Sequence, residues 1–163
     1  GPVRVGGCAG AANAYTARSL GEERWMIRTV VAVVLGLVVA LATVLLVEYL
    51  GMSLFPLPPG IDLDRDEDLA RLVASATLGK KLWILMAWTL ASFVGAAVAA
   101  RVARRHPTGA ALCVGGLIVA GVLLNAALLP HPAWMTVAGV LLPVPAAWLA
   151  ARLAAGRRAP PPA

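Results

Sequence analysis

Between Arg105 and Arg152 the chain carries no arginine, lysine, aspartate or glutamate. A water-soluble domain is about a quarter charged, so an uncharged stretch of this length has no place in one. It suits a bilayer, where a helix needs about 20 apolar residues to cross a hydrocarbon core about 30 Å thick. The stretch is too long for one crossing. Pro130, His131 and Pro132 divide it, because paired prolines end a helix and favour a turn. Two further runs of nineteen uncharged residues, Thr29 to Val47 and Leu82 to Ala100, lie upstream. Four spans are predicted, at about 27–50, 80–103, 109–129 and 133–152. The predicted fold is an all-α membrane protein: a four-transmembrane-helix bundle within residues 26–153.

Composition agrees. The 163 residues are 60% hydrophobic and 13% charged, with a mean hydropathy of +0.82, which leaves no room for a soluble domain of ordinary size. The formal charge of +6 does not point to nucleic acid, because the basic residues cluster at the ends of apolar runs instead of alternating with aromatics. Cys8 and Cys113 form no CxxC pair and no cluster with histidine, so neither a disulfide framework nor a metal site is expected. No cofactor is implied.

The basic residues also set direction. Arg4, Arg18, Arg24, Arg28, Arg101, Arg104, Arg105, Arg152, Arg157 and Arg158 fall on one side of the predicted spans. Arg65, Arg71, Lys80 and Lys81 fall on the other. The positive-inside rule gives N-in and C-in, with the loop 51–79 outside. Tyr49, Phe55, Trp83 and Trp134 then lie near the outer interface, and Trp25 and Trp148 near the inner one.

Residues 1–25 lack clear periodicity and are expected to be poorly ordered and cytoplasmic. Residues 154–163 are expected to be a disordered Pro/Arg-rich tail. Met26-Ile27-Arg28 would make a natural start. "VGGC" (Val5 to Cys8) has no apolar region before it and is not a lipoprotein box. "ALA" (Ala40 to Ala42) suggests a cleavage site, but apolar residues continue to Val47, so an uncleaved anchor is expected.

In the outer loop, "PLPPG" (Pro56 to Gly60) reads as a stiff spacer ending in a turn. Asp62, Asp64 and Asp66 resemble the start of a calcium loop, but Glu67 replaces the required glycine and Val73 the closing glutamate. The acids instead suit the first turn of a helix. Leu69, Leu72, Val73 and Ala76 would share one face, which predicts a short amphipathic helix on the outer surface.

Small residues recur every fourth position: Ala32, Gly36 and Ala40 in the first span, and Ala91, Gly95, Ala99 and Ala103 in the second. Such ridges let helix backbones approach closely. They read as packing seams within one bundle, with a homodimer seam as the alternative. Pro143 and Pro145 remove donors within the fourth span, so the Gly139 and Leu141 carbonyls lose their intrahelical partners. The outcome is a fixed kink that shapes packing, or a hinge or cavity wall.

Glu48 ends the first apolar run, roughly 15 Å from the middle of its span. Asn125, about 9 Å out, and His131 lie on the same outer side. The three form a candidate polar cluster at the outer leaflet, in which Glu48 and His131 could share a proton. The structural alternative is that Glu48 reaches the headgroups and His131 caps a turn.

Together "VEYLG…PLPPGIDL" (Val47 to Leu63), "LGKKLWILMAWTLASFVGAAVAARVARR" (Leu78 to Arg105) and "NAALLPHPAW" (Asn125 to Trp134) resemble a group of uncharacterised bacterial integral membrane proteins with four predicted spans. The resemblance covers about Met26 to Leu153. It implies a multi-pass protein of the bacterial inner membrane, and supplies no catalytic residue. Small multidrug exporters also have four spans, but their carboxylate sits near mid-bilayer and they lack a loop as long as 51–79. Haem ligation is disfavoured because His106 and His131 fall on opposite sides. No P-loop, nucleophile elbow or zinc-protease motif occurs, so no enzyme is indicated. Two functions remain. One is a structural or interaction protein whose partners are the bilayer and another membrane protein or a second copy. The other is a small transporter or proton-linked permease using Glu48 and His131.

Overall fold

The computed structural model describes residues 7–56, 60, 64–129 and 131–156. These form six helices: α1 (Gly7–Leu54), α2 (Asp66–Ser75), α3 (Leu78–Val102), α4 (Pro107–Leu128), α5 (Ala133–Leu141) and α6 (Pro143–Gly156). Four segments are long and apolar enough to cross a membrane: Glu23–Leu54, Leu78–Val102, Pro107–Leu128 and the α5–α6 pair, Ala133–Gly156. The shortest, Pro107–Leu128, reaches about 33 Å at 1.5 Å per residue, enough for the hydrocarbon core. The fold is thus the predicted all-α four-helix bundle.

Local chemistry sets the helix ends. α1 stops just before Pro56, which disfavours helical geometry in the residue preceding it. Thr77 caps α3 by accepting from the Lys80 amide at 3.3 Å. α4 opens on Pro107, whose missing N–H would have been an orphan in any case. α5 is separated from α6 at Leu142, beside Pro143 and Pro145, so the fourth span is broken as its two prolines require. α2 has Leu69, Leu72, Val73 and the following Ala76 half-buried, while Glu67, Arg71 and Ser75 are exposed. That is the predicted amphipathic pattern.

α3 and α4 form the centre of the bundle. α1 packs on one side of this pair and α6 on the other, and α1 and α6 are not neighbours. α3 therefore has two buried faces. Ala91, Ala99 and Ala103 meet Ala32 and Ala40 of α1 and Val114 of α4 in one cluster. Ala96 and Ala100 meet Ala147, Ala150 and Ala151 of α6 in the other. Large apolar side chains point outward instead, among them Val34, Leu45, Leu124 and Leu153. This inversion, small inside and large outside, is what lipid favours: tails are as apolar as leucine, so association comes from close packing.

The structure departs from expectation at both chain ends. Residues 7–25 continue α1 as helix. Alanine, leucine, arginine and glutamate dominate 9–24, and these are strong helix formers even without an apolar periodicity. Trp25, at the end of the segment expected to be poorly ordered, is packed: its ring meets His106 edge-on at 5.5 Å. At the other end, 154–156 complete α6. Residues 1–6 and 157–163, with Leu57 to Pro59 of the expected spacer and Asp62 of the acidic run, lie outside the described residues.

Candidate functional site at the loop end of the bundle

Glu48 lies two helical turns before the end of α1, and α3 begins nearby after the loop that carries α2. Two small cavities of about 140 and 190 Å³ open here, and both have Glu48, Leu72 and Lys80 in their walls. The first is completed by Gly51, Met52, Phe55 and Trp83. The second reaches Lys81, Ile84, His131 and Met135. α2 and the Ala76 that follows it thus contribute the apolar residues Leu72, Val73 and Ala76 to a wall that also holds Glu48, Lys80, Lys81 and His131.

The wall around Glu48 is well anchored. Trp83 donates its Nε1–H to the Val47 carbonyl at 3.0 Å. Its indole lies on Gly51, where an added Cβ would stand 2.6 Å from Nε1. Phe55 tilts against Trp83 with ring centroids 6.4 Å apart. Gly51 is therefore required by a close approach, since any side chain there would displace the ring that closes the α1–α3 interface.

The His131 ring lies 6.2 Å from that of Trp88, and its Nδ1 is 3.0 Å from the Leu129 carbonyl. The carbonyl oxygen can accept from Nδ1 when that nitrogen carries the proton. No family model, curated protein or solved structure matches the chain. What the site can do must therefore be read from its own geometry.

Of the three residues in the expected cluster, Glu48 and His131 share a cavity wall, whereas Asn125 lines neither cavity. The Asn125 side-chain oxygen is buried and has no hydrogen-bond partner. Among the described residues Glu48 has no hydrogen bond and no ion pair within 4.0 Å, so it makes no direct hydrogen bond to His131 or Asn125. The cation facing it is Lys80, whose side chain borders both cavities. Sequence reasoning treated Lys80 and Lys81 only as topology signals. The signal that could have found them is position: they fall within the first turn of α3, antiparallel to the end of α1 that carries Glu48.

The small-residue ridges meet each other. A Cβ added to Gly36 would stand 2.7 Å from the Gly95 carbonyl oxygen, and one added to Gly95 would stand 2.5 Å from that of Gly36. Ala32, Ala40, Ala91 and Ala99 are fully buried beside them. Both ridges are occupied within one chain.

A hydrogen bond that sequence reasoning missed joins α3 to the broken span. Ser92, fully buried, donates Oγ–H to the Pro143 carbonyl at 2.7 Å. The acceptor is the Pro143 carbonyl and not the Gly139 or Leu141 carbonyls that the two prolines deprive of donors, so this bond ties α3 to the start of α6. Among the described residues no group of three or more histidines, cysteines or carboxylates is placed to hold a metal.

Proposed function

We propose that this chain is a small multi-pass protein of the bacterial inner membrane that works as a structural or interaction partner of another membrane protein. The observation carrying this reading is the middle of the bundle. There the α1 and α3 backbones approach to contact at Gly36 and Gly95, and Val114 of α4 closes on both glycines. The buried polar side chain at this level, Ser92, spends its hydroxyl proton on the Pro143 carbonyl. A core filled by alanine and glycine transmits position between helices and leaves the outer surfaces to do the recognition. The arginine-rich end faces the cytoplasm on this reading, and α2 with the Glu48 cavity faces outward.

The cavity shared by Glu48, Lys80 and His131 supports a second reading, a proton-linked permease that loads at this end. Reconstitution into liposomes enclosing a pH-sensitive dye separates the two. The interaction reading expects an imposed proton gradient to decay no faster than in protein-free liposomes. Faster decay that disappears in Glu48→Gln establishes the permease instead. For a second copy as the partner, a Cys8→Ser chain should form a Cys113 cross-linked dimer in bilayers, since Cys113 is exposed on α4.

A further inference from the structure

The Glu48 end of the bundle places both signs of charge in one wall. Glu48 and Lys80 border both cavities there. Among the described residues neither forms an ion pair, so the two opposite charges stand apart in the wall they share. The remaining wall differs between the two spaces. The cavity of about 140 Å³ adds the rings of Phe55 and Trp83. The cavity of about 190 Å³ adds Lys81 and His131. Positive charge is therefore weighted toward the second space, and the first sets Glu48 among aromatic and apolar groups. Lys80 and Lys81 also lie in the first turn of α3, where the helix dipole adds to their potential.

This wall is set in advance. The bond from Trp83 to the Val47 carbonyl fixes one side, and the Thr77 cap holds the turn that carries both lysines. Each cavity has room for several waters.

The charge pattern discriminates between ligands. A simple anion gains from Lys80 and Lys81 but meets Glu48. A simple cation gains from Glu48 but meets the lysines. At the edge of a span such like-charge contacts are screened less than in bulk water, so each costs more. A molecule that carries both charges a few bonds apart gains from all three residues. Its ammonium donates to Glu48, and its anionic group accepts from Lys80 and Lys81. We propose that the paired cavities bind a small zwitterion, a primary ammonium joined by a short linker to a phosphate or a carboxylate. Ethanolamine phospholipid headgroups and free amino acids share this chemistry. For a lipid, Leu50 and Leu54, exposed at the same end of α1, offer apolar surface to the acyl chains. Binding here rests on the cavity of the permease reading but needs no movement of protons.

The test uses the full chain, purified in a neutral detergent and stripped of lipid. Phosphatidylethanolamine should raise the melting temperature by several degrees. It should bind at least ~10-fold more tightly than phosphatidylglycerol, which has the phosphate but no ammonium. Ethanolamine, which has the ammonium but no phosphate, should give no shift. Glu48→Gln should erase the preference between the two lipids. Arg152→Gln, whose arginine stacks on Trp148 away from the cavities, should keep it. Equal stabilisation of the wild-type chain by the two lipids, with no shift from a soluble zwitterion, overturns the site without need of any variant. Loss of the preference in Arg152→Gln also overturns it, because the effect is then general surface charge. Glycerophosphoethanolamine and glycine separate the two sources. A shift from either at millimolar concentration identifies a soluble zwitterion, and a shift from the lipid alone identifies the headgroup. Binding with no decay of a proton gradient in liposomes keeps the site and removes the permease. Gradient decay that depends on Glu48, with no zwitterion shifting the melt, does the reverse.

Discussion

The middle and the loop end of the α1–α3 interface use the same two helices in opposite ways. At Gly36 and Gly95 the backbones touch, and there is no space for one added methyl group. At Glu48 and Lys80, three to four helical turns further along α1, Trp83 bridges the helices and cavities of about 140 and 190 Å³ remain beside it. The difference follows from side-chain size. Glycine and alanine allow closeness, and closeness in lipid is itself the stabilising contact. Tryptophan, lysine and glutamate need room and water, which the end of a span supplies. Rigidity and polar chemistry are thus placed in separate layers of one interface.

The largest expected effect breaks the tight layer. Gly36→Val or Gly95→Val should destabilise the bundle by about 3 kcal/mol, measured by SDS titration of the purified protein in mixed micelles. Gly116→Ala, where a Cβ meets nothing within 4 Å, should change stability by less than about 0.5 kcal/mol. If the two substitutions cost the same, the seam is not the closely packed layer described. Trp83→Phe comes next, at about 1.5 kcal/mol, because it removes the donor to the Val47 carbonyl and part of the ring over Gly51. Ser92→Ala should cost about 1 kcal/mol by taking the side-chain donor from the Pro143 carbonyl. A neutral result would show that the broken span is held by packing alone.

The smallest effect belongs to the loose layer. Glu48→Gln should cost no more than about 0.5 kcal/mol, and a double-mutant cycle with Lys80→Met should give a coupling below about 1 kcal/mol, as for a solvated pair. A coupling above about 2 kcal/mol would mean that the cavity closes into a formed ion pair, and the contrast between the layers would fail.

The tight layer could be read in the sequence because its signal is periodic. Ala32, Gly36 and Ala40, with Ala91, Gly95 and Ala99, repeat at the spacing of one helix face, and in lipid only such faces allow close packing. The break at Pro143 and the stripe of α2 were legible for the same reason: each follows from local backbone or face chemistry. The loose layer depends on register between α1 and α3, which no local pattern encodes. Lys80 was visible as a charge but not as the neighbour of Glu48, and Trp83 as an interfacial aromatic but not as a donor to Val47. Asn125 shows the limit of depth as a guide, since a residue at the right height lies outside both cavity walls. Residues 7–25 failed for another reason: an alanine-rich segment attached to a long helix can simply propagate it without any apolar stripe.

The separation of α1 from α6 by the α3–α4 pair has a consequence in time. A ribosome delivers α1 first, and its main partner, α3, arrives only after the loop bearing α2 has been made. Until then the glycine and alanine face of α1 rests against lipid alone. Once α3 inserts, the antiparallel hairpin can close along Gly36 and Gly95 with no later segment required. α4 then finds a partner already assembled and brings Ala111 to the second face of α3, which α6 closes. A chain built this way can add its helices in the order of synthesis, and an error in the last helix leaves the first pair standing.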